Sequence, residues 1–318
     1  MRNQTLSRRS LLQSVALSTA VLISLTPALF GGVAQATESA VSAKAIQYER
    51  DWIIQPKAAR ELIEAGAVVI DARGTDLKDK SGLEKNSIAL VWQDLSQPDL
   101  PTKGRLIDDD AALTKKLQGL GLAKDAPVVV LGDPANGWGE DGRIAWTLKT
   151  LGLNKVVIVD GGLPAIKKLG ALNIKPLKIP GDFVVARTNK WEVRKEELRD
   201  RIAQKNTVIF DVREPREYEG KTPYGESRGG HVPGAKGLWY KDFIAKDGQL
   251  LPRADIEKVL ASKGVTKDSE IVSYCTGGIR SGWFTTLLND LGYKAKNYAG
   301  SMWEWSAQAP AQYPLTTN

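Results

Sequence analysis

The sequence predicts an α/β protein made of two tandem units, each a parallel sheet flanked by helices. Three observations carry this. Short apolar runs at 68–70, 128–131, 208–210 and 271–274 alternate with helical stretches, the pattern of parallel strands joined by crossover helices. The two halves repeat one another at an offset of about 140 residues. The halves then diverge at one loop, where only the second carries a cysteine, the single one among 318 residues.

The repeat can be followed in order. Asp51-Trp52 opens the first half and Lys190-Trp191 the second. Helical stretches follow at 56–65 and 194–204. Strands come next, each ending in an acid-x-arginine triplet, Asp71-Ala72-Arg73 and Asp211-Val212-Arg213. Helices at 111–120 and 255–263 lead to matching Lys124-Asp125 and Lys267-Asp268 pairs, then to the strands at 128–131 and 271–274. Each half continues with a helix ending at Leu-Gly, a further short strand and a glycine turn. The first unit is assigned to 44–172 and the second to 190–318, with a linker at 173–189 that carries Pro176 and Pro180.

Residues 1–36 read as an export signal. Arg2, Arg8 and Arg9 form a basic start, a mostly apolar stretch follows, and Ala34-Gln35-Ala36 is a small-x-small cleavage site. Ser7-Arg8-Arg9 is similar to a twin-arginine signal, with Leu12 and Gln13 departing from that pattern, so an ordinary secretory signal stays open. The expected destination is the periplasm or a thylakoid lumen. Removing 36 residues that hold three arginines leaves 282 residues with a net charge of +4. The basic residues are scattered, which gives no nucleic-acid footprint. No later stretch is long and apolar enough to span a bilayer. One cysteine permits no internal disulfide, and one histidine with one cysteine provides no Cys/His metal cluster.

Cys275 lies between a buried strand and an amphipathic helix whose Ile279, Trp283, Phe284, Leu287, Leu288 and Leu291 share one face. The sulfur therefore faces a helix N-terminus across a Gly277-Gly278 turn, with Arg280 nearby. A thiol there loses its proton readily, and the thiolate is the nucleophile. The plain alternative is a small buried hydrophobe. A core cysteine, however, needs neither the double glycine nor the arginine. The first half has Gly132 at the matching position, followed by a longer acidic loop, 133–142, so it is read as inactive.

The motifs Asp211-Val212-Arg213-Glu214, Glu217-Tyr218-Glu219-Gly220, Gly230-His231-Val232-Pro233-Gly234-Ala235, Cys275 to Arg280 and Gly300-Ser301-Met302-Trp303-Glu304-Trp305 resemble those of the tandem-domain rhodaneses, the thiosulfate and 3-mercaptopyruvate sulfurtransferases. The resemblance covers essentially all of the chain after the signal. It implies a five-stranded parallel sheet in each unit and a double displacement through a Cys275 persulfide, with no metal and no organic cofactor. The loop residues Thr276, Gly277, Gly278, Ile279 and Arg280 would cradle the terminal sulfur, and Arg213 or Arg216 would assist with an anionic donor. The Cys-x4-Arg loop is shorter than the Cys-x5-Arg loop of the related phosphatases, which argues against phosphate chemistry.

Thiosulfate is taken as the donor, and cyanide or a thiol as the acceptor. A 3-mercaptopyruvate donor, and a persulfide carrier serving a protein acceptor, stay as alternatives. The protein is expected to act as a monomer. Asp211 and His231 are read as structural, Trp303 and Trp305 as core, Arg228 as a solvated residue, and Asp108-Asp109-Asp110 as a helix cap.

Overall fold

A computed structural model describes residues 46–317. The proposed signal, 1–36, lies outside the described residues. Among the described residues nine strands run β1 Ile53–Ile54, β2 Val68–Asp71, β3 Ile88–Ala89, β4 Val128–Leu131, β5 Val156–Val159, β6 Thr207–Asp211, β7 Lys236–Gly237, β8 Glu270–Tyr274 and β9 Lys294–Asn297. The helices are α1 Pro56–Ala65, α2 Thr75–Ser81, α3 Asp110–Gly119, α4 Glu140–Thr150, α5 Gly162–Lys167, α6 Lys195–Arg201, α7 Pro215–Tyr218, α8 Arg253–Ser262, α9 Ile279–Asp290 and α10 Ser301–Ser306. Two 3-10 turns, Trp92–Leu95 and Tyr240–Phe243, complete the set.

Both sheets are wholly parallel. The first has the order β1-β5-β4-β2-β3 and the second β7-β6-β8-β9. The five strands expected of each unit are thus met only in the first. In the second, the counterpart of β1 shrinks to a single bridge between Glu192 and Asn297. Where the first half has the apolar pair Ile53-Ile54, the second has Glu192-Val193, of which Glu192 alone bridges β9.

Strand alternation sets the layers. Val69, Val129 and Leu131 face one core with Ile63 of α1 and Ile166 of α5. Val68, Ile70, Val128 and Val130 face a central core that also takes Phe210, Ile271, Phe284 and Leu287 from the second half. Val272, Tyr274 and Trp305 form a third layer. Sheets covered on both faces read as unbroken apolar runs, which is why these strands were visible in the sequence.

Helices α4 and α9 meet inside the central layer. They approach closely because Gly142 and Gly282 lie at the crossing. A Cβ on Gly142 would sit 2.5 Å from Cα of Trp283, and one on Gly282 would sit 3.1 Å from Cα of Arg143. The expected linker is a pinned strap. It has no helix or strand, but Phe183 is buried and its N–H donates to Leu122 O, while Ala186 and Thr188 donate to Leu151 O and Thr150 O.

Candidate active site

The site is built where β8 gives way to α9. Gly278 has φ +80 and caps α9, a left-handed backbone that suits glycine. The turn is also sterically closed. A Cβ on Gly277 would lie 2.0 Å from the Trp303 ring, and one on Gly278 would lie 2.4 Å from Nη1 of Arg143. The loop's outward carbonyls are taken up by α10, where Met302 N–H donates to Cys275 O and Trp303 N–H to Thr276 O. With the carbonyls held outward, the amides turn inward.

Cys275 is buried. Its Sγ accepts the Gly278 N–H at 3.1 Å and the Ser281 hydroxyl at 3.6 Å. Burial alone would push the thiol up. The Arg280 charge and the donors of Ser281 and Gly277 outweigh burial and hold it below its ordinary value.

Arg280 adjoins the site, but a carboxylate already claims it. Its Nη1 and Nη2 donate to the two oxygens of Glu217 at 2.6 and 2.8 Å, and Nη2 also reaches Thr276 Oγ1 at 2.6 Å. Thr276 Oγ1 donates in turn to Glu217 at 2.6 Å. The guanidinium lies near the Trp138 and Tyr224 rings, 5.5 and 5.7 Å from their centroids. Arg280 therefore braces the loop and is no free anion fork.

The two other arginines lie elsewhere, which corrects the expectation that either faces a donor. Arg213 is buried under β6, with Nε and Nη2 on the Asp211 carboxylate and Nη2 also on Gly230 O. Asp71 and Arg73 repeat this pairing in the first half, as a structural role requires. Arg216 is surface-exposed, paired with Glu214 at 2.6 Å and donating to Tyr224 Oη at 3.1 Å. Arg228 is not a free solvated group: it ties the C-terminal segment by donating to the carbonyls of Trp305, Ser306, Gln308 and Tyr313. His231 is buried, stacked on Tyr218 at 3.7 Å and hydrogen-bonded to its carbonyl, a structural placement. Asp109 caps α3 by accepting the Ala112 N–H.

A cleft of about 310 Å³ opens over Cys275, Thr276, Gly277, Ile279 and Arg280. Gly278 is not on its surface and acts through its N–H. The walls are Trp92, Trp138, Tyr224, Trp303 and Glu140. Trp303 is thus a wall and not core, whereas Trp305 is core. Trp92, Trp138 and Glu140 come from the half that has no cysteine. Sequence reasoning missed them, although the acidic loop 133–142 carried the signal. Glu140 accepts the Trp138 N–H at 2.7 Å, and burial raises its pKa.

In that first half β4 ends at Leu131 as β8 ends at Tyr274, so Gly132 stands where Cys275 does. A Cβ on Gly132 would lie 2.4 Å from Cγ of Asp141, so a carboxylate fills the space a thiol would need. Desolvation pushes Asp141 up to about 7.

Residues 194–308 match the rhodanese-like domain model. A thiosulfate sulfurtransferase of Pseudomonas aeruginosa is 34% identical over 189 residues, spanning 58% of this chain and 69% of that protein. A sulfur carrier protein, TtuD of Thermus thermophilus, is 30% identical over 207 residues, spanning 60% and 72%. The solved 3-mercaptopyruvate sulfurtransferase SseA of Escherichia coli superposes with a TM-score of 0.65 at 19% identity, over 79% of this chain and 98% of that one. Sequence and fold agree: the chain belongs to the rhodanese family of sulfurtransferases.

Proposed function

We propose that Cys275 takes the outer sulfur of thiosulfate, holds it as a persulfide and passes it to cyanide or a thiol. The observation that carries this reading is the thiolate cradle, a buried Sγ facing the Gly278 N–H and the Ser281 hydroxyl at the N-terminus of α9. In the first step the thiolate forms an S–S bond to the outer sulfur and the S–S bond of thiosulfate breaks, releasing sulfite with its electron pair. In the second, the acceptor's lone pair bonds the terminal sulfur and Cys275 leaves as thiolate. Charge and atoms balance at each step, with thiocyanate as the product from cyanide.

Thiosulfate suits the cleft because its outer sulfur fits the loop while its sulfonate stays at the open mouth. Mercaptopyruvate carries a carboxylate that calls for an unpaired arginine fork. Arg213, Arg216 and Arg280 are all paired with carboxylates. A sulfur-carrier role is the second reading. It is supported by Trp138, 44% exposed at the mouth, and by the relative named a sulfur carrier.

Thiocyanate formation from thiosulfate and cyanide tests the enzyme reading. Sustained turnover that vanishes in Cys275→Ala supports it. A stoichiometric burst with no further turnover moves the function to the carrier. Equal rates in wild type and Cys275→Ala would sink both.

A further inference from the structure

We propose that the half without a nucleophile supplies a buried counter-cation for Cys275 through Arg143, a positioning residue that holds Gly278, whose N–H faces the sulfur. This rests on the reading above that Cys275 works as an anion.

Four arginines are buried among the described residues: Arg73, Arg143, Arg213 and Arg280. Three are paired with a carboxylate, on Asp71, Asp211 and Glu217. Arg143, on α4, has none. Its Nη1 donates to Gly278 O at 3.0 Å, and its Nη2 to Ser96 Oγ at 3.0 Å and Gly104 O at 2.7 Å. Its Nε has no partner. The guanidinium packs 4.9 Å from the Trp146 ring centroid and 5.9 Å from that of Trp92. A buried cation held only by neutral acceptors is costly unless an anion stands near.

The anion is across the loop. Gly278 accepts Arg143 on its carbonyl and donates its N–H to Sγ of Cys275 at 3.1 Å. Gly278 thus stands between the cation and the sulfur, its carbonyl and its N–H lying in the two peptide units on either side of its Cα. Arg143 therefore fixes the residue whose N–H points at the thiolate, and it adds a buried positive charge behind the loop. The other cation at the site, Arg280, acts on the thiol too but is paired with Glu217, whereas Arg143 has no carboxylate hydrogen-bonded to it. Glu192 is the second anion that acts on Arg143, and burial raises its own pKa. Burial lowers Arg143 to about 10, and both Cys275 and Glu192 work against that fall.

The fit is close enough to fix the loop as well as charge it. A Cβ on Gly104 would meet Gly277 O at 2.7 Å and Ala299 O at 2.3 Å, so the segment that accepts Arg143 also presses on the cradle from the outside. The inactive half, on this account, is retained because it completes the active one.

The test is the pH dependence of iodoacetamide alkylation of Cys275 in the full chain, compared among wild type, Arg143→Lys, Arg143→Met and Ser96→Ala. Arg143→Met is expected to raise the alkylation midpoint by about one pH unit, a tenfold loss of thiolate below it, and to lower kcat for sulfur uptake more than it raises KM. Arg143→Lys, which keeps the charge and loses part of the fork, is expected to stay near the wild-type midpoint. Ser96→Ala removes one hydrogen bond and no charge, and should leave the midpoint in place. An unshifted midpoint in folded Arg143→Met would overturn the proposal. If that variant does not fold, Arg143→Lys decides: a midpoint raised by a full unit despite its charge would overturn it equally. Alkylation reads the thiolate and not sulfur transfer. Failure of the sulfur-transfer reading would therefore show separately, as wild-type protein that alkylates normally but gains no sulfur from thiosulfate.

Discussion

Replacing Glu217 with glutamine tests the brace that holds the cysteine loop. Glu217 is buried and accepts two hydrogen bonds from Arg280, at 2.6 and 2.8 Å, and one from Thr276 Oγ1 at 2.6 Å. Removing one partner of such a pair leaves an uncompensated buried charge, at a cost of about 3–5 kcal/mol. Glutamine keeps the shape and one acceptor oxygen, so the lower end, about 3 kcal/mol, is expected. For a protein of this size that is a fall in Tm of roughly 6–12 °C at pH 7.

The pH dependence gives a second handle. Burial pushes the Glu217 carboxyl up, but the Arg280 bonds and charge outweigh it and hold the carboxyl below its ordinary value of 4.5. A carboxyl depressed in the folded state stabilises above its unfolded value, and that contribution is lost as pH falls through the folded value. Wild type should therefore lose stability more steeply than Glu217→Gln below about pH 4.5, and the two melting curves should converge there. Thermal melts at pH 7, 5 and 4 read this directly. A variant that melts within 2 °C of wild type at pH 7 would refute the brace.

Other expectations follow from the same geometry. Gly277→Ala drives a Cβ to within 2.0 Å of the Trp303 ring, so the wall must swing; a loss of about 1–3 kcal/mol and a several-fold drop in sulfur uptake are expected, by denaturation and single-turnover kinetics. Asp141, raised from 3.8 to about 7, binds a proton in the folded state that the unfolded chain releases, so stability falls as pH rises from about 4 to 7. Asp141→Asn should flatten that fall and stabilise the protein at pH 8 by about 1–3 kcal/mol, measured by urea unfolding; an unchanged slope counts against a strained carboxylate in the first half.

Local chemistry made much of the fold legible. Helix α1 keeps its expected bounds because Pro56 can open it and Gly66, at φ +106, can close it. The strands at β2, β4 and β8 announced themselves as apolar runs because both faces of each sheet are covered. The missing fifth strand of the second sheet was hidden, since Trp191-Glu192-Val193 repeats both the position of β1 and its spacing to the next helix. At the site, the cysteine, the two glycines and the helix were readable together because they are contiguous. The arginines were not. Arg280 meets its carboxylate 63 residues away, and nothing local says that Glu217 will claim it. Trp92, Trp138 and Glu140 line the cleft and Arg143 reaches the loop behind it because the two halves pack together, with α4 and α9 meeting at Gly142 and Gly282, a tertiary event at which the acidic loop 133–142 only hints.

The most direct measurement is the intact mass of the protein before and after exposure to thiosulfate, with Cys275→Ser treated alongside. Wild type is expected to gain one sulfur atom, removable by cyanide, and the variant none. No gain on wild type, or the same gain on Cys275→Ser, would contradict the Cys275 persulfide.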